Sequence, residues 1–227
     1  MKTILFQGDS ITDCHRLRDE NSKGIKGFVQ KLSGKKPLGQ GYPVMVADAL
    51  NAEKAGEYAF INRGVSGDRV PDVYARIVRD IINIRPDYIS ILVGVNDVWH
   101  GFDWGNGTGK ERYEKVYDIL IEEIKTELPG TKIMILEPFL LEGSATANRE
   151  DQPDRYEKFR SGVEQMATIA EKIAKKHELK FVPLQAMLDM AAKKSSAATL
   201  LSDGVHPTAE GHELIKTEWI KAFNEIK

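Results

Sequence analysis

Residues 3–13, TILFQGDSITD, begin with a short apolar run that is followed by a glycine, an acid and a serine. An apolar run of this length that ends in glycine and polar residues is typical of a buried strand followed by a loop. Ser10 in this loop has two interpretations, as the cap of a helix or as a nucleophile. The residues elsewhere in the chain decide between them.

The chain continues as an alternation of short β-rich runs and longer helical patterns. The predicted strands are Thr3–Phe6, Tyr58–Asn62, Tyr88–Val93, Lys132–Leu136 and Lys180–Val182. The predicted helices are Val44–Asn51, Val70–Ile84, Glu111–Leu128, Arg155–His177, Gln185–Lys193 and Ala209–Ile226. Several strands are almost continuous in Ile, Leu, Val and Phe, as parallel strands buried on both faces are. We therefore predict an α/β protein, a doubly wound three-layer α/β/α sandwich with a parallel sheet, formed as one domain over residues 1–227.

The composition of the chain indicates which partners and which cellular compartment to expect. The 227 residues have a formal net charge of −2 and a pI of about 6.2, so neither nucleic acid nor an anionic membrane is an expected partner. A single cysteine, Cys14, cannot form an internal disulfide, and we expect it to be a small buried residue. The first residues lack the apolar region of about seven residues that a signal peptide needs, so a cytoplasmic protein is expected.

Polar, glycine-containing segments follow the first three predicted strands and precede the last helix. They are GDSITD (residues 8–13), NRGVSGD (62–68), GVND (94–97) and DGVH (203–206). Because the carboxyl ends of parallel strands meet at one edge of a sheet, we expect these segments to converge there.

The spacing of the glycines and histidines, together with the presence of a single cysteine, excludes several other kinds of site. The segment WGNGTGKE lacks the spacing of a phosphate-binding Walker A loop, and no GxSxG nucleophile elbow is present. The five histidines form no HxxxH pair and no CxxC pair exists, so neither a metal nor a cofactor is expected.

A serine nucleophile needs a base, a group that orients the base, and donors for an oxyanion. Asp203 and His206 are three residues apart, so in a tight loop the carboxylate can bind the imidazole Nδ1 and leave Nε2 free. Candidate oxyanion donors are the backbone N–H groups of Ser10 and Gly67 and the side-chain amide of Asn96.

The four segments, in this order, resemble the four blocks of the SGNH, or GDSL, hydrolases. The resemblance covers essentially the whole chain and implies a five-stranded parallel sheet between helices. It also implies that Ser10 is the nucleophile, that His206 is the general base and that Asp203 orients His206. Gly67, Asn96 and the N–H of Ser10 itself would form the oxyanion hole.

The longer pieces SITDCHR, GVNDVWHGFD and LEPFLLEGS resemble the intracellular branch of this family that removes acetyl groups from xylo-oligosaccharides. This resemblance implies an acetylated sugar ester as substrate and a homo-oligomer. Asp9 and Trp99 are assigned to substrate binding, although capping of the loop is the favoured structural interpretation of Asp9. Phe102 and Trp104 are expected to lie with Trp99 in a surface loop that contacts either substrate or a neighbouring subunit.

The leading hypothesis is therefore a serine esterase that hydrolyses short-chain acetyl esters, with acetylated carbohydrates as substrates. A lysophospholipase or thioesterase of the same family is the first alternative. The second is a non-catalytic carbohydrate- or protein-binding module, because fold alone does not prove function.

Overall fold

The structure, a computed structural model, describes residues 1–18, 34 and 36–227. Within these residues a five-stranded sheet forms the centre, and every strand pairing in it is parallel. The strands are β1 (Lys2–Gly8), β2 (Tyr58–Asn62), β3 (Tyr88–Leu92), β4 (Lys132–Leu136) and β5 (Lys180–Val182). Their order across the sheet is β2–β1–β3–β4–β5, so the predicted α/β sandwich with a five-stranded parallel sheet is confirmed.

Helices cover both faces of the sheet. They are α1 (Ser10–Asp13), α2 (Tyr42–Glu53), α3 (Val70–Ala75), α4 (Val95–Trp104), α5 (Lys110–Glu127), α6 (Arg155–Lys176), α7 (Gln185–Lys194), α8 (Ala197–Leu200) and α9 (Ala209–Ile226). Helices α2 and α9 pack together on one face, while α5 and α6 pack together on the other. Among the described residues, no helix has the combination of length and apolarity that crossing a membrane requires.

Successive side chains of β1 point to opposite faces of the sheet, so β1 contributes to the core on both faces. Phe6 packs with Trp219 of α9, with ring centroids 5.5 Å apart, whereas its neighbour Leu5 joins the opposite cluster with α3 and α5. Phe6 and Trp219 are both fully buried, and each such side chain contributes on the order of 1.5–3 kcal/mol relative to remaining exposed. The core on both sides therefore fixes β1, and with it the loop that follows β1.

Two helical regions differ from the prediction. The segment predicted as one helix over 70–84 is α3 followed by a π-helical turn, Val78–Ile82, with a bond from the Asn83 N–H to the Val78 carbonyl of 2.9 Å. Helix α3 ends at Ala75, and the residue after it, Arg76, has a φ of −117° and donates from its guanidinium to Asp68. The segment that carries Trp99, expected as a surface loop, is helix α4.

The strand register brings three of the polar segments to one edge. Gly8 at the end of β1 pairs with Leu92 at the end of β3, and Phe6 of β1 pairs with Asn62 at the end of β2. The loops after these three strands are therefore neighbours. The order of the sheet reverses at β1, which is where open α/β sheets place their ligand sites.

Candidate active site

Ser10 is the first residue of α1, directly beyond the end of β1. The carboxylate of Asp9 caps this short helix by accepting a hydrogen bond of 3.0 Å from the Ile11 N–H. Gly8 allows the close turn, because a Cβ there would lie 2.3 Å from the Leu92 carbonyl oxygen. The serine is thus presented by a strand-to-helix turn, and the cap interpretation belongs to Asp9 rather than to Ser10.

His206 lies beside Ser10 although the two residues are 196 positions apart, with 2.9 Å between Ser10 Oγ and His206 Nε2. The other ring nitrogen, Nδ1, lies 2.7 Å from Asp203 Oδ2. The second oxygen of Asp203 accepts the backbone N–H groups of Val205 and His206 at 2.9 and 2.8 Å. The Asp203 carboxylate therefore holds the DGVH turn in place. Ser10, His206 and Asp203, the three predicted catalytic residues, are hydrogen-bonded to one another in that order.

Protonation states follow from these contacts. Burial opposes ionisation of Asp203, but hydrogen bonds from the His206 ring and from two backbone N–H groups outweigh it and lower the pKa of Asp203 to about 2. An ionised carboxylate only accepts, so His206 Nδ1 carries the proton and Nε2 of the neutral ring accepts the hydroxyl proton of Ser10. The bond to Asp203 raises the pKa of His206, which is the direction expected for a group that takes up this proton.

The predicted oxyanion donors belong to Ser10 itself, to the loop after β2 and to the first turn of α4. Gly67 has φ of +86°, a conformation that favours glycine, and a Cβ there would meet no atom of the described residues within 4 Å. The amide of Asn96 is buried and donates one hydrogen bond of 3.1 Å to the Asp68 carbonyl, which leaves its second N–H for another acceptor. Among the described residues, the N–H groups of Ser10 and Gly67 have no hydrogen-bond acceptor.

The model of one protein family, described as GDSL-like Lipase/Acylhydrolase, matches residues 6–214. The chain belongs to the GDSL-like lipase/acylhydrolase family. It is 33% identical over 224 residues to an acetylxylan esterase from Geobacillus stearothermophilus, covering 96% of this chain and 92% of the relative.

Solved structures of the family agree with the fold. A putative GDSL-like lipase from Parabacteroides merdae is 34% identical, with a TM-score of 0.84 over 98% of this chain and 95% of that chain. The acetylxylan esterase from Geobacillus stearothermophilus is 30% identical in its crystal structure, with a TM-score of 0.78 over 97% of this chain and 93% of that one. The predicted membership of the GDSL hydrolases is confirmed.

Further residues of the GDSL motifs join the loops of the site to one another. Asp13 accepts the Ser66 N–H at 3.1 Å and so holds the loop that carries Gly67. Asn62 donates to the Thr12 carbonyl at 2.6 Å. Both side chains stand inside the quoted motifs, where the sequence predicts loop capping and supporting hydrogen bonds for Asp13 and no role for Asn62.

Two carboxyl groups are buried beneath the site. Burial raises the pKa of Asp9 to about 7 and that of Asp97 to about 8. Asp97 accepts the Val70 N–H at the start of α3, with both of its oxygens 3.2 Å from that nitrogen. Asp9 is 1% exposed and lies below Ser10 rather than on the cavity wall, so its predicted contact with substrate stays a prediction.

Trp99 is a neighbour of His206, with ring centroids 5.9 Å apart. It is on helix α4, half-buried, and its indole Nε1 donates to Asp103 at 2.6 Å. The structure thus places this predicted substrate-binding residue next to the imidazole. Phe102, also on α4, packs on Phe159 instead of standing free in a loop.

A cavity of about 730 Å³ opens at Ser10 and His206. Its wall includes Cys14, whose thiol lies 3.4 Å from His212 Nε2. His212 Nδ1 accepts the Tyr42 N–H, so Nε2 of this neutral ring carries its proton and cannot activate the thiol. Burial raises the pKa of Cys14 and lowers that of His212 to about 4, so Ser10 is the better nucleophile in this cavity.

Proposed function

We propose that this protein is a serine esterase that removes acetyl groups from xylo-oligosaccharides or related acetylated carbohydrates. The observation that carries the proposal is the hydrogen-bonded series Ser10 Oγ, His206 Nε2, His206 Nδ1 and Asp203 Oδ2, at 2.9 and 2.7 Å. Membership of the GDSL family supports ester hydrolysis, and the similarity to an acetylxylan esterase supports the acetylated sugar as substrate.

The first half of the reaction forms an acetyl-enzyme. His206 Nε2 takes the hydroxyl proton of Ser10 as Oγ attacks the ester carbonyl carbon. The negative charge on the carbonyl oxygen is stabilised by the N–H groups of Ser10 and Gly67 and by the amide of Asn96. The tetrahedral intermediate collapses, the ester C–O bond breaks, and His206 gives its proton to the leaving sugar oxygen.

The second half releases acetate. Water loses a proton to His206 Nε2 and attacks the acetyl carbonyl, and the same donors stabilise the second oxyanion. The bond to Ser10 Oγ then breaks, and the proton on His206 returns to that oxygen. Asp203 keeps the imidazole in the required tautomer through both steps.

The test is acetate release from acetylated xylo-oligosaccharides, measured beside nitrophenyl acetate and nitrophenyl octanoate. Fast release from the sugars with poor turnover of the octanoate is expected. Ser10→Ala should lower turnover of both acetyl substrates by on the order of 10⁶-fold, and activity that survives in this variant contradicts the serine mechanism. Turnover of nitrophenyl acetate without turnover of the sugars would contradict the carbohydrate substrate alone.

The acyl-chain series also tests the alternative within the family. Preference for octanoate over acetate would favour a lysophospholipase or thioesterase, since long acyl chains need a long apolar cleft. Failure of a fluorophosphonate probe to label Ser10 would favour the non-catalytic module.

We also propose that the protein forms a homo-oligomer. Trp104 at the end of α4 is 65% exposed and supplies a large apolar side chain for such a contact. Sedimentation of the purified chain tests this, with a particle larger than the 25.4 kDa monomer as the expected result.

A further inference from the structure

Arg155, the first residue of helix α6, has no exposed surface. Removing a guanidinium group from water is costly unless its donors are paired and its charge is balanced. A buried arginine therefore indicates a place where the chain holds a particular geometry. Arg155 is outside the four motif segments, and the proposed reaction assigns it no role.

All five N–H donors of Arg155 have partners. Nε and Nη2 both donate to the Ala145 carbonyl, at 3.1 and 3.0 Å. Nη1 donates to Asp103 Oδ1 at 2.8 Å and to Gln152 Oε1 at 2.6 Å, and the remaining hydrogen of Nη2 goes to Asp103 Oδ2 at 3.2 Å. The pairing with Asp103 is thus two-pronged, which fixes the plane of the carboxylate.

Aromatic rings hold the guanidinium from the side. Its central carbon lies 5.4 Å from the ring centroid of Phe102 and 5.7 Å from that of Phe159. These cation–π contacts add to the five hydrogen bonds that hold the guanidinium in this position.

The fixed carboxylate binds the indole of Trp99. Asp103 Oδ2 accepts the Nε1–H at 2.6 Å, one helical turn along α4. Trp99 also packs on Phe159, at 6.1 Å between centroids, and stands 5.9 Å from the ring of His206. A continuous series of contacts therefore runs from the buried arginine to the imidazole that faces Ser10.

We propose that Asp103 and Arg155 are positioning residues for the esterase reaction, which hold the Trp99 indole against the His206 ring and so keep Nε2 aligned with Ser10. The inference rests on the proposed function, because it concerns the base of that reaction. The His206 side chain is 38% exposed and lies in a loop, where Asp203 fixes only its Nδ1 edge. The indole supplies a second, lateral support, and its hydrogen bond to Asp103 selects one orientation of the indole ring.

The decisive variant removes both charges at once. Asp103→Asn combined with Arg155→Met leaves no unpaired buried charge, whereas Asp103→Asn alone would leave the fully buried Arg155 guanidinium without its carboxylate. Trp99→Phe keeps an aromatic ring but removes the Nε1–H. Asp189→Asn with Arg160→Met is the matched control, since that pair is also two-pronged, at 3.0 and 2.7 Å, and Arg160 is on the same helix.

The expected kinetic result is a loss in kcat on nitrophenyl acetate of about tenfold to a hundredfold in the double variant, with KM changed by less than about twofold. Trp99→Phe should lose a similar amount. Adding it to the double variant should cost no more than about twofold further, because residues that act through one another are not additive. Losses that multiply, a double variant with the kcat of the wild type, or a control pair with the same loss would each overturn the proposal.

Nuclear magnetic resonance gives a readout that does not depend on activity. The chain has three tryptophans, so three indole N–H signals are expected, and Trp99→Phe identifies that of Trp99. In the double variant this signal should shift while that of Trp219, on α9, stays in place. Trp104 follows the substituted Asp103 directly, so its signal is not used as a control. Movement of the Trp219 signal would show a general disturbance of the fold and contradict a positioning role. If Ser10→Ala left turnover intact, the proposed function would fail while this spectral result stood.

Discussion

Replacing Asp203 by asparagine tests the geometry of the proposed site most directly. In the native chain one oxygen accepts two backbone N–H groups and the other accepts His206 Nδ1–H at 2.7 Å. Asparagine keeps the first oxygen but presents an NH₂ group to Nδ1. The imidazole then carries its proton on Nε2 instead, and Nε2 can no longer accept the proton of Ser10. We expect kcat/KM to fall on the order of 10⁴-fold, the size of this effect in a serine protease.

The same substitution has a smaller effect on stability, and its size follows from the pKa. The pKa of Asp203 is lowered from 3.8 to about 2 in the folded chain, and each unit corresponds to about 1.4 kcal/mol. Because the carboxylate is partly exposed, we expect a loss in the free energy of unfolding of about 1–2 kcal/mol at neutral pH. A lowered carboxyl pKa stabilises the fold above pH 3.8, and this contribution is lost as the pH falls through about 2.

The assay is kcat/KM on nitrophenyl acetate together with urea unfolding at neutral pH. Asp118→Asn is the matched control, because Asp118 binds His177 Nε2 at 2.7 Å in the same kind of pair but contacts no residue of the site. This control should keep its activity within about twofold. A loss in Asp203→Asn below about tenfold, or no larger than that of the control, would refute the assignment of Asp203 as the orienting group.

Two further predictions concern the residues around Ser10. Gly67→Ala should lower kcat by about a hundredfold, because φ of +86° is unfavourable for alanine and relaxation of the backbone turns a proposed oxyanion N–H away. No described residue lies within 4 Å of the added Cβ, so the loss in the free energy of unfolding should be no more than about 2 kcal/mol. Stopped-flow and urea measurements separate the two effects, and unchanged kcat would contradict the oxyanion role. Asp97 has its pKa raised from 3.8 to about 8, so its contribution to stability is present below pH 3.8 and is lost as the pH rises through about 8. Asp97→Asn should therefore flatten the decline of unfolding free energy between these pH values, and an equally steep decline would show that another group causes it.

Much of the fold was predictable because its strands are short, buried and bounded by turn residues. The bounds predicted for β2, β4 and β5 agree with the structure, and the order of the polar segments placed Ser10 and His206 at one edge. What these predictions share is a local cause: an apolar run of strand length, or a motif whose spacing the chemistry requires.

Helix α4 was missed although it carries a local signal. Val95, Val98, Trp99 and Phe102 follow the spacing i, i+3, i+4 and i+7 of an amphipathic helix. The glycines on either side, in GVND and in WGNGTG, favoured a loop interpretation of the whole segment. The π-helical turn after α3 has no such signal, because the four-residue spacing of Ile77 and Ile81 is compatible with both an α-helix and a π-helix.

The pairing of Asp103 with Arg155 could not be predicted from the sequence. The residues are 52 positions apart, and each taken alone is an ordinary charged residue of a helix. Only the packing of α4 against α6 buries the guanidinium and gives it a partner. Burial is a property of the tertiary structure, so charges that become functional through burial are not distinguishable in the sequence from solvated ones.

Three polar residues of the motifs hold separate parts of the site together. Asn62 joins the second segment to the Thr12 carbonyl of the first, and Asp13 joins the first segment to the Ser66 N–H of the second. Asp97 joins the third segment to the start of α3. Each bond spans 27 or more positions of sequence, so together they hold three strand-end loops in one arrangement. Oxyanion stabilisation depends on donors that are already in place, so we expect loss of these bonds to lower kcat although none of them is made to substrate. The motifs therefore contain residues that shape the site as well as residues proposed to react. Short segments that are weak signals individually identify the family when they occur together in this order.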